Sequence, residues 1–365
     1  MMFRAQFFSW FYKQKRKRLI QKRAAEARRK NQLFDLEIVI EEGEKELKKW
    51  RDSSFNNILF SFDVPHNLQR KLYDLVFPSP LTFAAFQGDL NQLALWMDMG
   101  IGGGCFKTIL KEERKGNKRP RILQMPYKGE PHLINAYGLP GKGVQAFTQT
   151  VGRSALWNYK RPLGISIGGH TAEEYWDVFL EIEEGLSQKS FVNRYYYEIN
   201  ISCPNTDKGR DLLNNPQQLE KLLLMMRHKT NKVIGVKLSP DQSNEDLVSF
   251  ALRVQKVERT FINIGNTHFK TCEQVGLPAG SLSTSGGGFS GPALFKRTSE
   301  MMDLISPLGI PFIATGGITT ADDVMVCLKK GATAVGLATA LVTDPYRIVM
   351  INQALSKRAE LFRGV

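Results

Sequence analysis

Tyr195-Tyr-Tyr-Glu-Ile-Asn-Ile-Ser-Cys-Pro-Asn-Thr206 is the stretch that decides the fold, because an apolar strand in it ends in a polar cluster. The aromatic and aliphatic residues come first and predict a buried strand. Pro204 ends that strand, since proline has no N–H to donate to a neighbouring strand. The polar residues at this end are Asn200, Ser202, Cys203, Asn205 and Thr206.

The side chains of this cluster suit chemistry on a flat, polar ring. An asparagine carries both a donor and an acceptor, so Asn200 and Asn205 can clamp a ring that bears amide groups. Cys203 can accept a proton if its pKa is lowered. Taken alone, the same residues also fit a turn rich in Asn and Pro around an inert cysteine.

From about residue 71, short β-rich runs alternate with helical patterns. The eight β-rich runs are Leu81–Phe86, Gly102–Thr108, Pro162–Gly168, Tyr195–Ser202, Val233–Ser239, Thr260–Asn266, Pro311–Gly317 and Ala334–Leu341. Eight such strands with helices between them predict an α/β fold, a (β/α)8 TIM barrel over residues 71–365. A doubly wound sheet is the alternative, but no GxGxxG motif follows the first strand. Two insertions, 109–161 and 267–292, follow strand ends where barrel active sites are built.

Residues 1–70 are predicted to form a basic helical N-terminal extension. Residues 1–30 hold eleven Lys/Arg and one acid, Glu26, and so carry +10 of the total +14. The main domain is therefore nearly neutral, which argues against nucleic-acid binding. The aromatic residues from Phe3 to Tyr12 beside this charge indicate a segment on an anionic membrane surface. A solvated basic helix and a mitochondrial presequence are the alternatives.

The cysteines and histidines indicate no metal site and no disulfide framework. None of the four cysteines lies in a CxxC pair, and the five histidines have no metal-ligand spacing. This usage favours a reducing compartment. We therefore expect a cytoplasmic protein, peripheral at a membrane if the extension binds one, with a mitochondrial location as the alternative.

Several other predicted strand ends carry groups suited to a cofactor. Gly316 and Gly317 end the seventh strand, and the eighth ends near Thr339, where barrels usually bind phosphate. Lys237 ends an apolar strand, and a cation there suits a reduced flavin. Lys107 ends the second strand in the same way. Ordinary glycine turns and lysines that reach to solvent are the alternative interpretations.

With these residues in place, residues 71–362 resemble the dihydroorotate dehydrogenase family. The motifs that carry the resemblance are Ile199-Asn-Ile-Ser-Cys-Pro-Asn-Thr206, Gly116-Asn-x-x-Pro-Arg121, Leu133-Ile-Asn-x-x-Gly138, Gly287-Gly-Phe-Ser-Gly291 and Ala314-Thr-Gly-Gly-Ile318. They occur in family order, and five motifs in order are far more specific than one.

The resemblance implies bound FMN and oxidation of dihydroorotate to orotate in pyrimidine biosynthesis. Cys203 matches the family's catalytic base, which removes the C5 proton while hydride leaves C6 for flavin N5. The positions that match substrate-binding residues are Lys107, Asn135, Gly138, Leu139, Asn200, Asn205, Asn266 and Thr267. The positions that match flavin-binding residues are Ala84, Ala85, Lys107, Lys237, Gly291, Gly316, Gly317, Ala338 and Thr339.

The chain departs from the family pattern at Phe86, where glycine is usual, and at Leu110 and Ala338. A cysteine base is typical of soluble, class 1-like members, whereas a long N-terminal extension resembles class 2. Both a quinone and a soluble electron acceptor therefore stay open. The alternative functions are an FMN barrel acting on another dihydropyrimidine, and an inactive barrel serving as a membrane-associated scaffold.

Overall fold

The computed structural model describes residues 1–127, 129–191, 194–201 and 211–361, so Cys203 and Asn205 lie outside the described residues. The strands are β1 (Arg70–Leu72), β2 (Leu75–Phe77), β3 (Leu81–Phe83), β4 (Gly103–Ile109), β5 (Ile122–Tyr127), β6 (Glu130–Asn135), β7 (Leu163–Ile167), β8 (Tyr195–Asn200), β9 (Ile234–Leu238), β10 (Thr260–Ile264), β11 (His268–Thr271), β12 (Gly286–Ser290), β13 (Phe312–Thr315) and β14 (Ala334–Leu337). The α-helices are α1 (Met2–Arg29), α2 (Leu36–Arg51), α3 (Asn56–Leu59), α4 (Leu90–Asp98), α5 (Gly143–Val151), α6 (Ala172–Leu186), α7 (Asp211–Asn214), α8 (Pro216–Lys229), α9 (Asn244–Gln255), α10 (Phe295–Ile305), α11 (Ala321–Lys329), α12 (Thr339–Thr343) and α13 (Arg347–Leu361).

Eight parallel strands close into a barrel, which confirms the predicted TIM-barrel fold. Around the barrel the strands follow one another in chain order as β3, β4, β7, β8, β9, β10, β13 and β14. Most of them are apolar on both faces and fully buried, as expected for a parallel sheet covered by helices. The predicted eighth strand was too long, because the chain turns into α12 at Thr339.

The register of the strands brings polar side chains to the same level of the barrel. Asn200 on β8 pairs with Lys237 on β9, and Lys237 pairs in turn with Asn263 on β10. Asn263 also donates to Glu198 Oε2 at 2.5 Å and accepts from Thr315 Oγ1 at 2.8 Å. Buried polar groups of this kind are tolerated because they bond to one another.

The two ends of the barrel are closed differently. The antiparallel hairpin β1–β2 packs Leu72, Leu75 and Phe77 against the N-terminal end, in one cluster with Tyr196 and Phe261. Both predicted insertions contribute to a second, antiparallel sheet of order β11-β12-β6-β5. This sheet lies at the other end because its strands follow the carboxyl ends of β4 and β10.

The N-terminal extension is helical, and its first two helices pack on the barrel. From α1, Ser9 donates to the buried Asp344 at 2.6 Å, and the ring of Phe8 stacks on Tyr346 at 6.0 Å. From α2, Glu37 accepts two hydrogen bonds from Arg121, at 2.7 and 2.8 Å. A bidentate arginine–carboxylate pair fixes orientation as well as contact, so α2 is held to the start of β5. A domain boundary at residue 70 stays a prediction.

Candidate active site

A cavity of about 930 Å3 opens at the carboxyl ends of the barrel strands. Every predicted site residue that the structure describes lines this cavity. These residues are Ala84, Ala85, Lys107, Asn135, Gly138, Leu139, Asn200, Lys237, Asn266, Thr267, Gly291, Gly316, Gly317, Ala338 and Thr339. They come from positions spread over more than 250 residues, so the fold alone gathers them. The carboxyl end of a TIM barrel is where active sites of this fold lie.

Lys107 lies in a mostly enclosed part of this cavity. Its amine stands 5.1 Å from the ring centroid of Tyr137, and its backbone N–H donates to Gln87 O at 3.1 Å. Burial, together with the nearby Arg121, lowers the pKa of Lys107 to about 8. The amine is therefore charged at neutral pH and suited to an anionic ligand, but it loses that charge in mild alkali.

Amide and hydroxyl groups surround the same space. Asn200 Nδ2 donates to Thr108 Oγ1 at 2.8 Å, and Tyr175 holds the Asn200 carbonyl at 2.8 Å. Asn135 Nδ2 donates to Gly288 O at 3.2 Å, and Asn266 Oδ1 accepts from its neighbour's N–H. The bonds of Asn135 and Asn200 orient their amide side chains, and Asn135, Asn200 and Asn266 all line the cavity.

Lys237 brings a second cation to the floor of the cavity. Only 5% of its surface is exposed, which is rare for lysine. Among the described residues no ion pair of Lys237 is found, and the buried carboxylate of Glu198 bonds to Asn263, the strand neighbour of Lys237. An anionic group of a ligand would therefore compensate the buried charge.

The ends of β13 and β14 leave the backbone open to the cavity. Gly316 and Gly317 have φ values of +126° and +74°, which L side chains rarely adopt. A Cβ at Gly317 would stand 2.2 Å from the backbone nitrogen of Phe295. Thr339 Oγ1 donates to Ser290 Oγ at 2.9 Å across the same space. Small residues and hydroxyls at these two strand ends fit a phosphate group.

Phe86, a departure from the expected motif, lies on one wall of the cavity. Its ring packs against Trp96 with centroids 5.5 Å apart, and its N–H donates to Ala84 O at 2.8 Å. The backbone therefore makes a tight turn at Ala84 and Ala85, and a large side chain follows it.

Comparisons with known proteins agree with this geometry. The family model described as "Dihydroorotate dehydrogenase" matches residues 67–359. A relative from Pyrococcus abyssi, "Dihydroorotate dehydrogenase B (NAD(+)), catalytic subunit", is 31% identical over 278 residues, which are 75% of this chain and 87% of the relative. "Dihydroorotate dehydrogenase (quinone)" from Parvibaculum lavamentivorans is 30% identical over 304 residues, 80% of this chain and 83% of that protein.

The chain belongs to the dihydroorotate dehydrogenase family. It is therefore an oxidoreductase of the family that serves pyrimidine biosynthesis, as predicted. A solved structure, "Crystal structure of DHODH in complex with ferulenol from Eimeria tenella", shares the fold with a TM-score of 0.70 at 21% identity. The match covers 88% of this chain and 92% of that one.

The sequence did not predict that α1 and α2 form one wall of this dehydrogenase-family cavity. From α1, Phe8, Tyr12 and Arg16 line it, and from α2, Glu44 and Leu47 do so. Burial raises the pKa of Tyr12 to about 12 and lowers the pKa of Arg16. The aromatic and basic residues of the extension indicated that it contacts another surface. They did not indicate that this surface is the mouth of the barrel.

Proposed function

We propose that this protein oxidises dihydroorotate to orotate with bound FMN. The observation that carries the proposal is that residues of four of the five family motifs line one cavity. Lys107, Asn135 and the backbone at Gly138 and Leu139 line the same cavity, which supports their assignment as the site for the substrate carboxylate. A positive charge and N–H donors favour a carboxylate, which dihydroorotate has and uracil-type rings lack.

The residues on the other side of the cavity fit FMN. Gly291, Gly316, Gly317, Ala338 and Thr339 would hold its phosphate. Ala84 and Ala85 would face the ring system, with Lys107 and Lys237 beside its polar edge. When bound, FMN takes up the hydride that leaves C6 of the substrate. Lys237 contributes a fixed positive charge near the ring, and such a charge favours the reduced, anionic state.

The remaining groups hold the substrate ring and move its proton. Asn200, Asn205, Asn266 and Thr267 supply donors and acceptors for the amide groups of the ring. Cys203 accepts the proton from C5 as its thiolate. Thr108, which accepts from Asn200 and shares a hydrogen bond of 3.0 Å with Ser166, keeps that asparagine in place.

A quinone is the electron acceptor that the extension favours. Phe7, Phe11 and Trp50 line the cavity and are also 53%, 45% and 40% exposed, so its rim is aromatic and reaches the surface. Phe3 and Trp10 on the same helix are 81% and 57% exposed. Aromatic rings beside a basic helix suit the interface of an anionic membrane, from which an apolar acceptor can enter.

No helix within the described ranges has both the length and the apolar character to cross a bilayer. The attachment that we propose is peripheral and depends on the exposed aromatic and basic residues of α1. The relative named for NAD(+) makes a soluble acceptor the alternative, and the test below includes both.

The proposal is tested on the purified full-length protein. FMN should co-purify, and orotate should form from dihydroorotate when a short-chain quinone is present. Dihydrouracil, which lacks the carboxylate, is the matched control and should react at less than about a hundredth of the rate, because the groups that bind the carboxylate would be left unpaired. Equal turnover of dihydrouracil would favour another dihydropyrimidine as substrate, and absence of flavin would favour the inactive scaffold. NAD(+) replaces the quinone in a parallel assay.

A further inference from the structure

The carboxylates on α2 differ in their partners. Within the described chain, four of the five form ion pairs with Arg or Lys. These pairs are Glu37 with Arg121, Glu41 with Arg119, Glu42 with Arg23, and Glu46 with Lys15. Glu44 is the fifth, and its hydrogen-bond partner is the neutral amide of Gln87, at 2.6 Å. Of the α2 carboxylates that line the cavity, Glu44 is the one for which no ion pair is found among the described residues, and Lys107 lies close enough to favour its charged form.

The loop after β3 fixes this amide so that it donates to Glu44. Gln87 Oε1 accepts from the backbone N–H groups of Gly88 and Asp89, at 2.8 and 2.9 Å, which leaves its NH2 group for Glu44 Oε1. The carbonyl of Gln87 accepts from the Lys107 backbone at 3.1 Å. The Glu44 carboxyl is thus held near the predicted substrate site. The bond from Gln87 uses Oε1 of Glu44, so Oε2 is the oxygen that can carry a proton.

The surroundings of Glu44 favour the protonated acid near neutral pH. Burial is the main cause and raises the pKa of Glu44 to about 7, while the Gln87 bond opposes this. The ionisable groups around it are Glu41 on α2, Tyr12 on α1, Asp89 before α4, Lys107 on β4 and Tyr137 after β6. Asp89 and Glu41 disfavour the carboxylate, whereas Lys107 favours it.

We infer that Glu44 is the acid that gives the second proton to a quinone bound in this cavity. The inference rests on the proposed function. Reduction of a quinone to the hydroquinone takes up two electrons and two protons. Reduced FMN, when bound, would supply both electrons and one of the protons, so the protein has to supply the other proton. The Glu44 carboxyl protonates the remaining carbonyl oxygen, becomes a carboxylate and regains its proton from solvent.

The test separates the two half-reactions of the holoenzyme. Glu44→Gln keeps the size and the contact with Gln87 but cannot donate as an acid. We expect reoxidation by a water-soluble quinone to slow by about 10²–10⁴-fold, the usual contribution of a lost general acid. The wild-type rate should fall above pH 7, and that dependence should be absent in the variant. Glu44→Asp should recover part of both the rate and the pH dependence.

Three controls make the outcome specific. Ferricyanide takes electrons without protons, so its reduction should be equal in Glu44→Gln and wild type. Glu42→Gln changes the same helix at a carboxylate bonded to Arg23 and should reoxidise normally with the quinone. In the infrared spectrum, a protonated-carboxyl band should be present at pH 6, lost at pH 8.5 and absent from Glu44→Gln.

Equal quinone-dependent rates and pH profiles in Glu44→Gln and wild type would overturn this role for Glu44. The flavin is reduced by light for this comparison, so the test does not depend on dihydroorotate. Failure of dihydroorotate to reduce the flavin would count against the proposed function. The comparison of quinone-dependent rates would still test the role of Glu44, because it starts from flavin reduced by light.

Discussion

The raised pKa of Glu44 predicts that replacing this acid stabilises the protein, and does so more as the pH rises. Between the ordinary pKa of 4.5 and about 7, the folded protein holds a proton on Glu44 that the unfolded chain has released. The free energy of unfolding therefore falls as pH rises through this window. A difference of about 2.5 pH units, at about 1.4 kcal/mol each, gives a cost of about 3 kcal/mol above pH 7.

This cost can be converted to a shift in melting temperature. Unfolding entropy of about 2.1 cal/mol/K per residue gives about 0.8 kcal/mol/K for 365 residues, so about 3 kcal/mol corresponds to about 4 °C. Part of the cost is already present at pH 5. The Tm of Glu44→Gln relative to wild type should thus rise by about 3 °C from pH 5 to pH 8.

The assay is a thermal melt of both proteins at pH 5, 6, 7 and 8, with the same FMN content. Glu42→Gln is the matched control, and loss of its bond to Arg23 should give no gain in Tm at pH 8. A Tm difference between Glu44→Gln and wild type that stays constant across this pH range would refute the argument about burial.

Three further predictions concern the two lysines and the extension. Orotate binding should weaken about tenfold per pH unit above pH 8, because Lys107 then loses its charge. In the same titration, the Lys107→Met variant should bind orotate weakly at every pH. Lys237→Ala should lose FMN or show a lower flavin reduction potential, and normal values for both would leave Lys237 without a flavin role. Deletion of residues 1–30 should abolish co-sedimentation with anionic vesicles at low salt while dihydroorotate still reduces the flavin, and full-length protein that stays in the supernatant would contradict membrane attachment.

The barrel could be predicted because each strand carries its own signal. Runs such as Tyr195–Asn200 and Ile234–Leu238 are mostly apolar and carry a polar or charged residue at or beside their last position, which is local information. The motif residues at the strand ends could be located in the same way, since the fold places all carboxyl ends at one mouth.

The wall formed by α1 and α2 could not be predicted because it depends on contacts between distant segments. Nothing near Glu44 in the sequence shows that Gln87 will hold it, and nothing near Ser9 indicates Asp344. Basic and aromatic residues on a helix have the same pattern whether they face a membrane or a barrel. The sheet β11-β12-β6-β5 was missed for the same reason, since it pairs two insertions far apart in the chain.

Anaerobic single-turnover reduction of the bound flavin by dihydroorotate tests the central claim most directly. In the wild-type protein, dihydroorotate should bleach the flavin absorbance and yield one orotate per flavin. Cys203→Ala should keep its FMN and be reduced about 10²–10⁴-fold more slowly, as expected for a lost general base. A wild-type flavin that stays oxidised would contradict dihydroorotate oxidation, and a normal rate in Cys203→Ala would contradict the role of Cys203 as the base.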